Sequence, residues 1–497
     1  MSKTPSILDH YPDYELNIGI EVHVQLTTNS KIFCPSENHV SKSPNTNICN
    51  ICTAQPGSLP VLNKKVVEYA IKAGLATRCQ IAPQSAFARK HYFYPDLPKN
   101  YQISQNEDPI CSNGSIPIRL EDGSIKNIRL IRIHMEEDAG KNIHVQASPE
   151  GYAGQAAQEN ASFVDFNRTG TPLLEIVSHP DISSTYEAKA YLRALRLIVQ
   201  YLGICSGNME EGAFRADTNV SVRKKGAEKL GTRTELKNIN SFKFIGDAVE
   251  HEIERQIQLL ESGQKVRQET RLWDTKNKKT IMMRSKEEAA DYRYFQDPDL
   301  PILEVSTEMI DAVKKQMPEL PHDRFDRYIT KNGLTPYEAE ILIDDIDLSN
   351  YYEQAHKINP SKQIVNLILR DVMGYLKESK IPLNELKMTP DKLASLVTLL
   401  EKGIINNRAA QEVFVAVCET GQSPEQIVKD KNLEQMGSVE ELEAMVKELL
   451  AANAAQVADY KAGNVKLFGF FVGQMMQKTK GKGDPKIIQE LLKKHLS

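Results

Sequence analysis

Three adjacent carboxylates stand between a histidine and a lysine in residues 134–141, which read His-Met-Glu-Glu-Asp-Ala-Gly-Lys. Hard cations such as Mg²⁺ prefer oxygen ligands, and a phosphate group is stabilised by a nearby metal ion and an ammonium group. Glu136, Glu137, Asp138 and Lys141 therefore offer the parts of a metal-nucleotide site. A solvated acidic turn explains the same run without any ligand, so other segments must decide between the two.

Further polar side chains lie in two segments, 17–26 and 214–223, in which apolar and polar residues alternate as in a half-buried strand. Their polar faces carry Glu21, His23 and Asp217, and Glu235 follows in a short polar run. Because a strand places residues i and i+2 on one face, Glu21 and His23 can reach one ion together. Histidine is less usual for Mg²⁺ and also suits Mn²⁺ or Zn²⁺. The group predicts a site for one or two Mg²⁺ ions, although each residue alone is also typical of a water-facing sheet.

Cations and aromatic rings are combined in residues 89–96, which read Arg-Lys-His-Tyr-Phe-Tyr-Pro-Asp. This run, with Lys90, could cradle a phosphate and stack a base. A strand with one aromatic face in the core is the alternative. Arg168 precedes a Thr-Gly-Thr-Pro turn and is either a turn arginine or a phosphate clamp.

Cys34, Cys49 and Cys52 form a C-x14-C-x2-C pattern. A C-x2-C pair is half of a zinc knuckle, whereas a structural zinc site takes four ligands. His39 is the nearest candidate for the fourth ligand, and Cys79 is another. Free thiols in the core are the alternative, and the pattern leaves both open.

The bulk properties restrict the class of protein. The chain has 497 residues, 40% hydrophobic and 26% charged, with a formal charge of −4 and seven cysteines. This is an ordinary soluble composition with room for about two to four domains. No apolar run approaches the ~20 residues of a membrane span, the first residues lack an apolar signal core, and the scattered cysteines suit a reduced compartment. We therefore expect a cytoplasmic protein without a membrane segment.

The elements that must position these residues fall into two regions. Residues 1–297 consist mainly of predicted strands and turns, with one helix after Ser184 that stops at Gly203 and another from Phe242 to Ser262. Beyond the Asp-Pro-Asp-Leu-Pro run at 297–301 the pattern is helical, with helix starts at Thr389 and Ser438. We expect an α+β fold, in which a cradle domain around a twisted antiparallel sheet precedes all-helical C-terminal domains.

The predicted boundaries are 1–297 for the cradle domain, 298–405 for a helical domain and 406–497 for a helical tail domain. The last 37 residues hold eight lysines against two acidic residues, with three phenylalanines among them. Such a tail could follow an RNA backbone, or it could present a solvated lysine face.

Two kinds of catalytic motif are missing from the sequence. It contains no G-x4-G-K-[ST] loop, which argues against a P-loop NTPase, and no G-x-S-x-G or Gly/Ser-rich amidase-like stretch. A chain of this kind that makes or breaks a carboxyl derivative has no evident nucleophile for releasing ammonia.

Ten segments in a fixed order carry a more specific signal than any single motif. They are 20–26 (IEVHVQL), 56–63 (PGSLPVLN), 89–96 (RKHYFYPD), 101–105 (YQISQ), 134–141 (HMEEDAGK), 167–175 (NRTGTPLLE), 209–212 (MEEG), 235–238 (ELKN), 291–295 (DYRYF) and 469–474 (GFFVGQ). Together they resemble the B subunits of the glutamyl-/aspartyl-tRNA amidotransferases (GatB), and the resemblance extends over essentially the whole chain from Tyr14 onward.

The resemblance implies an ATP-dependent carbon-nitrogen ligase with glutamine as the amide donor. The family converts Glu-tRNA(Gln) to Gln-tRNA(Gln), or Asp-tRNA(Asn) to Asn-tRNA(Asn), as a heterotrimer with a glutamine-hydrolysing amidase A subunit and a small C subunit. Its B subunit holds the tRNA with a YqeY-like helical tail and phosphorylates the tRNA-bound side-chain carboxylate with ATP and Mg²⁺. Ammonia from the A subunit then displaces phosphate.

The resemblance also assigns roles to the residues of the pocket, with Glu137 as the principal one. The expected Mg²⁺ ligands are Glu21, His23 and Glu137, and Asp217 and Glu235 are expected as supporting acids of the same pocket or of the ammonia exit. Lys90 is expected near phosphate or at the mouth of the ammonia channel, and Lys141 and Arg168 are expected near the nucleotide. Glu136 and Asp138 are expected to orient or solvate the others.

Two departures from the family pattern concern zinc and RNA. Family members with zinc often have more cysteines before the C-x2-C pair, whereas Ile32 and Ser36 flank a lone Cys34 here. The zinc site is therefore expected to be altered or lost. In the tail, Asp484 stands where the family usually has Asn, and its carboxylate either weakens an RNA contact slightly or caps the next helix.

Two other functions remain open on the sequence. A tRNA-binding and assembly subunit without its own chemistry would leave ATP turnover independent of Glu21 and His23. The related subunit restricted to Glu-tRNA(Gln) is usually longer by an inserted domain, and the modest length before Asp297 argues against it.

Overall fold

The computed structural model describes residues 6–39, 41, 43–144, 162–285, 292–434, 439–479 and 483–496. The chain divides into two compact units, residues 1–323 and 324–497. Within the described part, every helix is too short or too polar to cross a bilayer.

The first unit combines strands of very different length with helices. Its strands are β1 (Tyr14–Gln25), β2 (Gln80–Ile81), β3 (Gln84–Ser85), β4 (Ala88–His91), β5 (Tyr101–Ser104), β6 (Cys111–Arg119), β7 (Ile125–Glu137), β8 (Lys141–His144), β9 (Ser162–Asp165), β10 (Pro172–Ser178), β11 (Phe214–Lys224), β12 (Thr234–Lys237), β13 (Glu269–Asp274), β14 (Lys279–Ser285), β15 (Phe295–Gln296) and β16 (Leu303–Glu304). Its helices are α1 (Lys64–Ala76), α2 (Thr185–Tyr201), α3 (Phe242–Glu261) and α4 (Thr307–Lys314).

A nine-stranded sheet in the order β14-β13-β12-β11-β1-β10-β7-β6-β2 forms the centre of this unit. Every neighbouring pair is antiparallel except β12 and β13, which are parallel. The sheet is therefore mixed, where the sequence predicted an antiparallel one. The exception arises because α3 connects β12 to β13, and a helical crossover returns the chain in the same direction. Smaller sheets of order β15-β4-β5, β16-β3 and β8-β9 accompany it.

The alternation predicted for β1 and β11 is confirmed. In β1, Leu16, Ile18, Ile20, Val22 and Val24 are at most 2% exposed, and the residues between them are only partly buried. The apolar side packs with α1, α2 and α3 in one hydrophobic core. Helices therefore cover one face of the sheet, and the other face carries the polar side chains.

The two helices predicted within this region are also confirmed. Ser184 Oγ accepts a hydrogen bond from the Glu187 backbone N–H at the start of α2, which satisfies a donor that the first turn leaves unpaired. Gly203 follows α2 and Gly263 follows α3, both with positive φ, where a side chain would be strained.

The second unit is helical. Its helices are α5 (Pro321–Thr330), in which the division between the units falls, α6 (Pro336–Asp344), α7 (Ile346–Ile358), α8 (Lys362–Leu367), α9 (Met373–Ser379), α10 (Pro390–Glu401), α11 (Asn407–Thr420), α12 (Pro424–Asp430), α13 (Val439–Ala452), α14 (Ala454–Lys461), α15 (Leu467–Lys478) and α16 (Pro485–Leu496). The predicted start at Thr389 is confirmed, because this residue is the N-cap of α10. Ser438 lies outside the described residues.

The C-terminal helices share a core of their own, to which α13 contributes Leu442, α15 contributes Phe471 and α16 contributes Ile488. Asp484 Oδ1 accepts hydrogen bonds from the backbone N–H groups of Lys486 at 2.7 Å and Ile487 at 3.4 Å. The carboxylate at this position therefore caps α16, as one of the two sequence-based alternatives held.

Candidate active site

The face of the nine-stranded sheet that the helices leave open gathers acidic and imidazole side chains. His23 on β1 is directly opposite Glu175 on β10, and Glu175 is directly opposite His134 on β7. Paired residues point to the same side of a sheet, and so do residues i and i+2. Glu21 and Glu136 therefore belong to this face too, and the candidate site spans three adjacent strands that are distant in sequence.

His23 lies at the centre of the group. Its Nε2 is 3.3 Å from Glu175 Oε2, 3.4 Å from Glu136 Oε1 and 3.9 Å from Glu21 Oε1. His134 Nε2 contacts two of the same glutamates, at 3.3 Å from Glu175 Oε2 and 3.6 Å from Glu136 Oε2. We call His23, Glu136, His134 and Glu175 the His-Glu cluster.

The four members of the His-Glu cluster shift one another's pKa values. Burial alone would lower the pKa of His23, but its hydrogen bond to Glu175 and the nearby carboxylate charges raise it to about 9. Burial is likewise outweighed at His134, whose pKa Glu175 and Glu136 raise to about 9. Burial opposes the shifts at Glu175 and Glu136, yet the two histidines hold both carboxyl pKa values below their usual range. The cluster on its own is therefore an array of protonated imidazoles and carboxylates.

A second group of ligand atoms shares His23. Asp217 on β11 is directly opposite Glu21. Ligand atoms of Glu21, His23 and Asp217 lie within 4.8 Å of one another, and the same holds for His23, Glu136 and Glu175. Burial, then the charges of Glu175 and Asp217, raise the pKa of Glu21 to about 7. A cation beside Glu21 would therefore relieve repulsion between carboxylates.

Glu235 lies on β12, the strand next to β11, and is close to Lys237. Lys237 Nζ donates a hydrogen bond to Asp217 Oδ2 and lies 3.4 Å from Glu235 Oε1. The other Glu235 oxygen accepts a 2.7 Å hydrogen bond from Thr270 Oγ1. Neither group of candidate ligands includes Glu235. It neighbours the site through Lys237, an ammonium group that the sequence analysis did not single out.

Glu137 does not join Glu21 and His23, in contrast to the expectation from sequence. It pairs in register with Pro172 while Glu136 pairs with Leu173, so the two side chains leave the strand on opposite sides. Glu137 Oε2 accepts a 2.6 Å hydrogen bond from Lys99 Nζ, and its Oε1 accepts one from the Ile103 N–H at 2.9 Å. A separate cavity of about 250 Å³ adjoins Glu137.

Asp138 and Arg168 form hydrogen bonds that stabilise the loop after β7. Asp138 Oδ2 accepts hydrogen bonds from Arg215 Nη2 at 2.8 Å and Gln25 Nε2 at 3.0 Å. Arg168 donates to the carbonyl oxygens of Ala139 at 2.9 Å and Gly140 at 2.6 Å. These contacts favour the turn role of Arg168. Among the described contacts, none joins the exposed Lys141 to the His-Glu cluster.

Lys90 faces the cluster from β4. Burial would lower its pKa, but the charges of Glu136 and Glu175, together with Tyr294, raise it. Lys90 Nζ also lies 5.0 Å from the centroid of the Tyr292 ring. The lysine thus stays protonated beside the carboxylates, in a position to meet an anionic group.

The three cysteines of the C-x14-C-x2-C pattern do come together. Their sulfur atoms lie within 4.8 Å of one another, and Ser36 Oγ lies 3.9 Å from Cys52 Sγ. Neither proposed fourth ligand belongs to this group: His39 is exposed and contacts Glu37, and Cys79 contacts Thr77. The fully buried Lys31 instead places its Nζ 3.7 Å from Cys52 Sγ.

Four residues of the site were missed or given minor roles from sequence: Glu175, Glu136, His134 and Lys99. Glu175 lies in a strand that is buried almost throughout, which hides any alternation. A usable signal existed for Glu136 and His134. Ile133 and Met135 are core residues and share the strand phase of Glu137, so period-two alternation would have placed Glu136 with His134 on the polar face.

Comparisons with known proteins agree along nearly the whole chain. A family model described as "GatB/GatE catalytic domain" matches residues 16–311, and one described as "GatB domain" (GatB_Yqey) matches residues 350–496. The chain is 50% identical over 484 residues to the B subunit of the aspartyl/glutamyl-tRNA(Asn/Gln) amidotransferase from Thermodesulfovibrio yellowstonii, covering 97% of this chain and 99% of that one. Proteins of the same name from Geobacter sulfurreducens (50% over 485 residues, 97% and 99% covered) and Chlorobium phaeobacteroides (48% over 484 residues, 97% and 99% covered) are similar to the same extent.

Proposed function

The chain belongs to the family of aspartyl/glutamyl-tRNA(Asn/Gln) amidotransferase B subunits, and we propose that the His-Glu cluster and Asp217 line the place where the tRNA-bound carboxylate is activated. The protein acts in tRNA-dependent amidation, as a subunit of a glutamine-dependent ligase. Its substrates are tRNAs charged with glutamate or aspartate, and it works with other subunits.

The reaction needs activation because a carboxylate is a poor acceptor for ammonia. In the proposed sequence, a side-chain carboxylate oxygen of the aminoacyl-tRNA attacks the γ-phosphorus of ATP, and the bond to the bridging oxygen breaks to release ADP. Ammonia then attacks the carbonyl carbon of the acyl phosphate, loses a proton, and displaces inorganic phosphate to leave the amide. The phosphoryl transfer step depends on charge neutralisation and positioning more than on covalent chemistry.

The residues present fit Mg²⁺. Two groups of three ligands, each with two carboxylates and the shared His23, offer oxygen-rich coordination. Mg²⁺, when bound there, would neutralise charge on the transferring phosphoryl group. Glu136 and Glu175 would hold one face of the site, and Glu21 and Asp217 the other. Because the carboxylates belong to adjacent strands of one sheet, their spacing is fixed before substrate arrives.

Lys90 and Lys237 are two lysines of this chain that supply positive charge beside the site. Lys90 is placed to contact a phosphate oxygen, because its ammonium group faces Glu136 and Glu175 without forming a close ion pair with either among the described contacts. Lys237 holds Asp217 and Glu235 and would orient Asp217. We assign Glu137 to positioning: through the Ile103 N–H it fixes β5, the strand that pairs with Lys90 through Gln102.

The observation that carries the proposal is the position of His23, which both groups of candidate ligands share. A sheet face with one or two acids is ordinary, but here four acids and two imidazoles from four strands converge, and the chain lacks amidase motifs. A partner that supplies ammonia fits this arrangement, and the family has an amidase A subunit for that task. We propose a heterotrimer of this chain with that subunit and a small C subunit.

We also propose that the C-terminal helical tail, residues 406–497, binds the tRNA. Lys466, Lys486 and Lys493 lie in the described part of the tail, and Lys478 is 2.7 Å from Glu448. Lysines on helices present a charge to a phosphate backbone without reading sequence. The domain divisions after residues 297 and 405 remain part of this proposal.

Zinc fits less well. A structural zinc site takes four ligands, and here three thiols meet a serine hydroxyl and a buried ammonium group. Lys31 can balance a Cys52 thiolate without a metal, and the pKa of Cys52 is lowered by its hydrogen bond from Cys34 and by the charge of Lys31. We therefore propose that this thiol group is structural and metal-free.

The test is His23→Ala in the assembled heterotrimer, with the exposed His10→Ala as the matched control. Removing the shared ligand should lower amidation and ATP-dependent phosphate release by about 100-fold or more, while glutamine hydrolysis by the A subunit survives. His10→Ala should behave as the unmodified protein. Full amidation by His23→Ala would leave this chain as an assembly and tRNA-binding subunit without the proposed chemistry.

A further inference from the structure

Four tyrosines form a continuous row beside the small sheet β15-β4-β5. Ring centroids are 6.1 Å apart for Tyr94 and Tyr92, 6.3 Å for Tyr92 and Tyr292, and 6.0 Å for Tyr292 and Tyr294. The two segments are joined by a 2.9 Å hydrogen bond from the His91 N–H to the Tyr292 carbonyl oxygen. We call these four residues the tyrosine row.

The tyrosine row leads to the candidate active site. The Tyr92 hydroxyl donates to Gln102 Oε1 at 3.5 Å, and Gln102 Nε2 donates to the Glu137 carbonyl oxygen at 2.7 Å. That carbonyl belongs to the residue that follows Glu136, a member of the His-Glu cluster, in the chain. From the other segment, the Tyr292 ring lies 5.0 Å from Lys90 Nζ. A long substrate whose reacting end reaches the cluster therefore has the row beside it.

The ends of the row are open. Tyr94 is 56% exposed and Tyr294 is 39% exposed, whereas Tyr92 and Tyr292 are only partly exposed. Aromatic rings that stay exposed in a contiguous patch beside a site mark a binding surface. Unpaired nucleobases bind proteins mainly by stacking on such rings, and a nearby lysine suits the backbone phosphates. Four rings in successive steps of 6.0 to 6.3 Å suit a short run of unpaired bases better than the single base of ATP.

We propose that the tyrosine row binds the unpaired 3′-terminal nucleotides of the aminoacyl-tRNA, with the terminal base on Tyr294 and the nucleotides before it along the row towards Tyr94. This proposal rests on the proposed function, and it names the part of the tRNA that this surface takes. The amino acid is esterified to the terminal ribose, so its side chain reaches the His-Glu cluster only when that ribose lies at the mouth of the site. The row would hold it there.

The test uses the heterotrimer and a tRNA whose terminal adenine is replaced by 2-aminopurine, without ATP, so that binding is measured apart from turnover. Stacking on Tyr294 should quench the fluorescence. Tyr294→Ala should restore it and raise the Kd for the tRNA about tenfold, and Tyr94→Ala should raise the Kd similarly. Tyr294→Phe keeps the ring and should match the unmodified protein. Phe93→Ala, an exposed aromatic outside the row, is the matched control.

Equal weakening by Phe93→Ala, or unchanged binding in both tyrosine-to-alanine variants, would overturn the proposal. So would displacement of the label by an ATP analogue, combined with a raised KM for ATP alone, because the row would then hold the adenine of ATP. His23→Ala should keep the quenching. Full amidation by His23→Ala would contradict the proposed chemistry and leave the row untouched. Retained quenching in Tyr294→Ala would contradict the row and leave the proposed chemistry untouched. The two proposals can therefore fail separately.

Discussion

Glu136 and Glu137 are consecutive residues of β7, and their side chains lie on opposite faces of the same sheet. Glu136 meets His23 and His134 in the His-Glu cluster, whereas Glu137 is bound by Lys99 and the Ile103 N–H. Glu136 therefore faces the proposed chemistry, and Glu137 makes structural contacts on the opposite face.

Glu136→Gln should lower ATP-dependent phosphate release and amidation by about 10- to 100-fold or more, because it removes a carboxylate charge from the cluster without changing the side-chain volume. Glu137→Gln should lower the rate per folded complex by less than about tenfold. Steady-state rates normalised to folded heterotrimer make the comparison. Equal losses in the two variants would contradict the separation of faces.

Lys99→Met should destabilise the first unit by about 3 kcal/mol, because the buried Glu137 carboxylate loses its counter-charge and keeps the hydrogen bond from the Ile103 N–H. The two side chains are 12% and 3% exposed. Lys65→Met is the matched control, since its pair with Glu68 is 47% and 30% exposed and should contribute less than about 1 kcal/mol. Urea unfolding followed by Trp273 fluorescence reports the first unit. A similar shift in both variants would rule out the buried pair as the cause.

Stability of the metal-free protein should fall as pH rises from about 6.5 to 9. The pKa of His134 is about 9 in the folded protein, above the value of about 6.5 in an unfolded chain. Its protonation therefore stabilises the fold fully below the unfolded value, and this contribution is lost as pH rises through 9. At 1.36 kcal/mol per pKa unit it amounts to no more than about 3 kcal/mol. His134→Gln should reduce the fall in unfolding free energy across this window and leave the part that His23 contributes, because the pKa of His23 is also raised to about 9. An unchanged slope would remove His134 as a source.

The purified protein should contain far less than one zinc per chain, because the thiol group lacks a fourth strong ligand. Ser36→Cys supplies one at a position whose Oγ is 3.9 Å from Cys52 Sγ, and it should raise the zinc content to about one per chain. Metal analysis after growth in zinc-supplemented medium measures both. Stoichiometric zinc in the unmodified protein would show that Lys31 and Ser36 do not prevent binding.

Asp484→Ala should destabilise the tail by about 1 kcal/mol, because α16 loses its N-cap. Asp484→Asn keeps a capping oxygen and should change stability by only a few tenths of a kcal/mol, while it removes the negative charge. Thermal unfolding and tRNA affinity of both variants separate the two roles. If Asp484→Asn binds tRNA more tightly and Asp484→Ala is as stable as the unmodified protein, the RNA contact is favoured over the cap.

The sequence predicted those parts of the site that carry a regular pattern. Glu21, His23 and Asp217 lie on strands with clean alternation, and α2 begins and ends at its capping residues. Pairing between distant strands was not readable, and it decides which carboxylates meet. Glu175 reaches His23 only because β10 lies between β1 and β7, an order that no local pattern encodes. Likewise, Lys31 reaches Cys52 through the tertiary fold rather than through spacing.

The pairing of β1 with β11 also joins two strands that are synthesised at different times. Glu21 is opposite Asp217, so the first long strand leaves the ribosome about 200 residues before its partner, roughly 10–40 s earlier at ordinary elongation rates. During that interval the apolar side of β1 has no complete sheet to join. A nascent chain halted before Phe214 should therefore be protease-sensitive and bind chaperones, and one extended well past Lys224 should not.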